Sequence, residues 1–162
     1  MAFDAFLRID GINGESTDST HRGGIELLDY ELGVGQRASS PPGTAGGAAA
    51  ERADFSELSF SKWADTSSPL LAVACASGMH IDRVTVELCR AGAGKVRFME
   101  YEMKDCLISS FTTNGGEDDY PTDNVSIHYG SIIWRYTRQL PKGGLPSGCT
   151  AGGWNLRKNC KM

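Results

Sequence analysis

Three histidines, five cysteines and one acidic cluster are the side chains of this 162-residue sequence with the means to do chemistry. His21, His80 and His128 stand far apart, with no H-x-x-x-H pair and no His/Cys spacing of the kind that holds a metal. His21 lies in the polar turn STDSTHRGG and His128 in a strand-like run beside Tyr129, so each reads as a surface or structural residue rather than a base or ligand. The segment CRAGAGKV is only partly a phosphate loop. Such a loop sets a glycine ahead of a Gly-Lys pair with four residues between, and follows the pair with Ser or Thr. Here Cys89 and Val96 occupy those places, which leaves Lys95 as a turn residue. No G-x-S-x-G elbow marks a serine nucleophile. GGEDDYPTDN gathers Glu117, Asp118, Asp119 and Asp123 but lacks the alternating ligands and late glutamate of a calcium loop, so it reads as a solvated acidic turn. Cys75, Cys89, Cys106, Cys149 and Cys160 are odd in number and contain no C-x-x-C pair, which argues against a disulfide framework and against zinc. They read as free thiols, some filling core positions, although Cys149 and Cys160 share a Gly-rich tail and have the opportunity to pair in an oxidising compartment. No catalytic, cofactor-binding or metal-binding residue is assigned, and no cofactor is expected.

The elements that would position any site are mostly strands. FDAFLRIDG places Phe3, Ala5, Leu7 and Ile9 on one face and Asp4, Arg8 and Asp10 on the other. IELLDYELGVGQ reads as a second strand of mixed phase. In DFSELSFSKWA, Leu58 and Phe60 share one face, Phe55 and Trp63 the other. RVTVELCR alternates with Val84, Val86 and Leu88 inward and Thr85, Glu87 and Cys89 outward. In KVRFMEYEMKDC the apolar phase slips between Phe98 and Met99, the mark of a β-bulge or of a strand with two buried faces. LISSFTTNGGEDD continues as strand and then turns. NVSIHYGSIIWRYTRQL is the longest strand candidate, with a bend or bulge at Gly130, and GGWNLRKN offers a last strand. Gly-rich connections between short strands predict a mainly β fold, an antiparallel sandwich or closed barrel. A chain of this length makes one domain, residues 1–162.

Two segments break the pattern. RASSPPGTAGGAAAERA, residues 37–53, is too small and too rich in Pro and Gly to build a core and reads as a long exposed loop. SSPLLAVACASG predicts one short helix, from about Ser68 to Ser77, with Ser68 as its cap, Pro69 in its first turn and Gly78 as its left-handed stop. Leu70, Leu71, Val73 and Cys75 point in different directions and no charge interrupts them. A helix apolar on every side is normally covered on every side, and a small barrel covers only one. The simplest cover for the other side is a second copy of the chain.

Composition removes other partners. The net charge is −4 and the Lys and Arg residues are scattered, so no nucleic-acid surface is expected. No apolar run approaches the roughly 20 residues that span a membrane. The start, MAFDAFLRIDG, has no basic region followed by an apolar block, so synthesis in the cytoplasm without a Sec-type signal peptide is expected.

Taken in order along the chain, DGINGESTDSTH, then LSFSKWAD running into the Pro-containing helix, then LISSFTTNGGEDDYPTDNVSIHYGSIIWRY and the closing GWNLRKN resemble the Hcp family, the haemolysin-coregulated proteins of bacterial type VI secretion. The resemblance covers most of the chain. It implies a compact β-barrel of two antiparallel sheets with one helix on its flank. It also implies homohexameric rings with a central channel, stacked into an inner tube that a contractile sheath propels beneath a spike protein. Effector proteins would travel in the channel, the subunit would be exported, and it would not be an enzyme. Under this reading Leu70, Leu71, Val73 and Ala74 of the helix face a neighbour or the channel. Loop residues Ser40, Pro41, Pro42, Gly43 and Thr44 would contact the next ring. A competing reading is a monomeric or dimeric β-sandwich binding module that uses the 37–53 loop. A third, an enzyme fused to the same core, finds no room after the last motif.

Overall fold

In the computed structural model, residues 2–37, 51–92, 95–138 and 148–162 are described. The alternation of FDAFLRI makes β1 (Phe3–Ile9), with Ala5, Leu7 and Ile9 buried. It pairs antiparallel with β2 (Ile25–Leu27) on one side and β7 (His80–Arg90) on the other. β8 (Arg97–Gly116), 20 residues long, ties the molecule together. Its first half pairs with β7 and with β10 (Ser131–Thr137), and its second half with β9 (Asp119–His128). β9 pairs with β6 (Leu58–Trp63), and β6 with β3 (Asp29–Glu31). Beyond β10 lie β11 (Cys149–Asn155) and the short β12 (Cys160–Lys161). Every one of these pairings is antiparallel, and α1 (Ser67–Ser77), the single helix among the described residues, follows β6. The mainly β expectation therefore holds.

The structure explains the mixed phase of IELLDYE. β2 and β3 follow one another across Leu28, one pairing with β1 and the other with β6, and the Leu28 N–H donates to the Ser61 carbonyl at 2.8 Å. One stretch serves two faces in turn. For the same reason the barrel is not closed by strand pairing: β2 and β3 are joined end to end instead of lying side by side.

The longest strand is β8. NVSIHYGSIIWRYT is instead broken at Tyr129–Gly130 into β9 and β10, which lie end to end along β8. Gly130 is the expected bend. Its N–H points at the carbonyls of Lys104 and Asp105, at 2.9 and 3.1 Å. The expected slip beside Phe98 is a bulge: Leu88 faces Met99 but Cys89 faces Arg97, which leaves Phe98 as the extra residue.

Leu7, Ile25, Leu58, Val84, Met103 and Ile127 are among the fully enclosed side chains of the core. Cys89 corrects the sequence reading. It is fully buried, because the loop before β2 folds over the outer face of β1 and β7 and lays His21 flat on Phe6, with ring centroids 4.1 Å apart. β4 (Val34–Gly35) and β5 (Asp54–Phe55) form a separate two-stranded ribbon. It continues to a hydrogen bond from the Glu51 N–H to the Arg37 carbonyl. Ser40, Pro41, Pro42, Gly43 and Thr44 of the expected stacking loop lie outside the described residues.

Candidate functional site

The helix α1 spans Ser67–Ser77, close to the expected bounds, but its N-terminus is built differently. Thr66 precedes it without a side-chain cap. Asp65 takes that role by accepting from the Ser67 N–H at 2.8 Å and from the Ser67 hydroxyl. Ser68, expected as the cap, instead accepts from the Asp65 N–H at 3.0 Å and donates to Asp123. At the other end Gly78 has φ 65°, and the Met79 N–H returns to the Ala74 carbonyl at 3.1 Å, the left-handed stop the sequence announced.

Beneath the first turn lies a group the sequence did not reveal. Lys62 is fully buried on the face that Leu58 and Phe60 share. Its Nζ donates to Asp123 Oδ2 at 2.9 Å, to the Trp63 carbonyl at 2.9 Å and to Ser68 Oγ at 3.1 Å, and it lies 3.0 Å from Asp65. Asp123, read as part of a solvated turn, is 1% exposed. Burial pushes its carboxyl up, but hydrogen bonds from Ser68 and Lys62 and the Lys62 charge outweigh that and hold it below the usual carboxylate range. The ion pair fixes which way α1 is rolled. Signals were present in retrospect: a lysine at an inward strand position, and an aspartate across the β6–β9 ladder, where Lys62 faces Asp123.

That roll divides the helix. Leu71 and Ala74 are buried in the core, whereas Leu70 and Val73 are 49% and 65% exposed. With the exposed Pro69 and Ala76 they form an apolar stripe facing solvent. Of the four helix residues named from sequence, two therefore belong to the protomer's own interior and two are presented outward.

The structure also assembles a nucleophile-like trio that spacing concealed. Cys89 Sγ lies 3.8 Å from His21 Nε2, and His21 Nδ1 lies 2.8 Å from Asp18. Glu87 occupies His21 Nε2 as well. Burial, then the nearby Glu87 and Asp18 charges, push the Cys89 thiol up to about 11, so it stays protonated and enclosed at neutral pH. The hydrogen bond to His21 holds the Asp18 carboxyl well below its ordinary value. The trio locks a loop onto the sheet. His80 and His128 have mostly exposed side chains, and no cluster of three metal-ligating side chains occurs among the described residues.

Cys149 and Cys160 are exposed and unpaired. Cys160 sits opposite Asn155, six residues along β11 from Cys149, so the two are about 20 Å apart by strand rise. A disulfide needs Cα atoms within about 7 Å, which excludes the pairing within this fold.

An antiparallel β fold with a flanking helix that presents an apolar stripe to solvent is the class of protein the structure defines. Comparison with known proteins gives that class its family. Residues 6–136 match the family described as type VI secretion system effector, Hcp. The chain is 35% identical over 161 residues to protein hcp1 of Pseudomonas aeruginosa, covering 98% of each. A solved type six secretion system protein superposes with TM-score 0.93 at 31% identity, covering 99% of this chain and all of that one. Hcp1 from Salmonella typhimurium superposes with TM-score 0.83 at 26% identity, covering all of both chains. The chain belongs to the Hcp family and is a structural, secreted component of type VI secretion.

Proposed function

We propose that copies of this chain associate into homohexameric rings with a central channel and that the rings stack into the type VI inner tube. The tube would travel beneath a spike protein, driven by a contractile sheath, with effector proteins in its channel. The subunit would be made in the cytoplasm, leave without a signal peptide and act without catalysis. The observation that carries this reading is the outward stripe of Leu70 and Val73 on a helix whose opposite face is already buried. Burying what these two still expose would yield on the order of 1 kcal/mol each, repeated at every contact of a ring. The 37–53 loop, rooted in the β4–β5 ribbon, would reach the next ring through Ser40, Pro41, Pro42, Gly43 and Thr44; this part rests on family likeness.

Light scattering tests the reading. A ring has about six times the 17.4 kDa of one chain. Leu70→Asp with Val73→Asp should leave a folded species of single-chain mass and stop cargo export. A wild-type protein that remains at single-chain mass across concentrations would support a stand-alone binding module instead.

A further inference from the structure

The two aromatic side chains at the end of the β6–β9 ladder open onto a cleft of about 510 Å³ that the helix stripe does not reach. Trp63 follows the inward Lys62 and so points out of β6, where it is 49% exposed. Across the ladder it faces Thr122, and Tyr120 lies two residues further along β9, on the same side and diagonal to it. The β8–β9 hairpin runs past the end of β6, so Tyr120, flanked by β8 on one side, lies beyond the last β6 pairing on the other and is 65% exposed. The rings meet edge to face at 6.0 Å, and the Ala64 N–H ties this corner to the Pro121 carbonyl at 2.9 Å. The other wall carries Glu15 and Glu26. Each commits one carboxylate oxygen to its own chain: Glu15 accepts the Thr66 N–H at 3.2 Å and Glu26 the Ser16 hydroxyl at 3.3 Å. Asp65 also lines the cleft but turns toward Lys62 and Ser67. Among the described residues no lysine or arginine lines it.

We propose that this cleft binds an arginine side chain presented by a partner protein. A guanidinium is planar, stacks on an indole and donates in a fork that matches a carboxylate; Trp63 and Tyr120 supply the first partner and Glu15 and Glu26 the second, with Ser16, Thr17 and Ala64 between them. A wide, open cleft with only two aromatic walls suits a side chain held at the end of a polypeptide better than a free cation, which needs fuller enclosure. The site is separate from the helix stripe, so the chain has two faces for two kinds of contact: one apolar and one that reads positive charge.

A fluorescently labelled peptide of four arginines spaced by glycines is the probe, with the matching glutamine peptide as its control, both titrated into the intact protein. Saturable binding of the arginine peptide alone is expected. Trp63→Ala and Tyr120→Ala should each weaken it about two- to fivefold, and Glu26→Gln should weaken it further when added to either. Glu117→Gln with Asp118→Asn removes two charges at the hairpin tip, one more than Glu26→Gln, and should leave the affinity unchanged. An unchanged affinity in Tyr120→Ala, whose exposed side chain is dispensable for folding, overturns the proposal. So does equal weakening by the hairpin-tip pair, or equal binding of the glutamine peptide.

Discussion

Removing one partner of the Lys62–Asp123 pair is the sharpest perturbation the fold offers. Both side chains are at most 1% exposed, and the lysine is the only large cation in the core among the described residues. Asp123→Ala takes away the carboxylate 2.9 Å from Nζ and leaves a buried ammonium with the Trp63 carbonyl, Ser68 and the half-buried Asp65. Breaking a buried pair this way costs about 3–5 kcal/mol, and the surviving Asp65 contact puts this case near 3. For a domain of this size each kcal/mol moves Tm by about 2–4 °C, so a drop of about 6–12 °C is expected in thermal unfolding followed by circular dichroism. The double variant Lys62→Met with Asp123→Leu removes both charges and keeps apolar volume, so it should be less destabilised than either single change. A single Asp123→Ala variant melting within 2 °C of wild type would refute the reasoning, as would a double variant that melts at the sum of the single losses.

Acid stability follows from the same groups. The Asp123, Asp18 and Glu102 carboxyls are all held below their ordinary values, Glu102 chiefly by the hydrogen bond from Arg135. Their contribution is complete above the unfolded pKa of about 4 and is lost as pH falls through the lower folded values. Tm should therefore be flat from neutral to about pH 5 and decline only below that; a Tm that rises on acidification contradicts the assignment. Native-state thiol labelling should modify Cys149 and Cys160 within minutes and spare Cys89 and Cys106, whose burial pushes them up to about 11 and about 12, until the protein unfolds. Mass spectrometry after brief alkylation counts the adducts. Val73→Asp alone should change protomer stability by about 0.5 kcal/mol or less, since the side chain is mostly exposed, and its effect should be confined to self-association measured by sedimentation.

What the sequence made legible was local. Period-two alternation located β1 and β7, the Phe98 slip located the bulge, and Gly78 and Gly130 located a stop and a bend, because each rests on the backbone of a few neighbouring residues. What stayed hidden depends on contacts between distant segments. Cys89 looked outward by alternation, and only the fold of the His21 loop over that face encloses it. Lys62 continued the inward phase of Leu58 and Phe60, yet its charge argued against the core until Asp123 arrived from across the ladder. The faces of α1 were illegible for a related reason. A helix of Leu, Val, Ala and Cys has no preferred side, so the buried pair beneath its first turn decides which residues it shows.

β8 runs as one long strand that turns at Asp105, where φ is 54°, and is gripped by β7 and β10 along one half and by β9 along the next. A push delivered along such a spine loads many ladder hydrogen bonds at once in shear instead of peeling them singly. The protomer should therefore deform as one stiff unit, and a moving column built from it would give way first at the joints between copies.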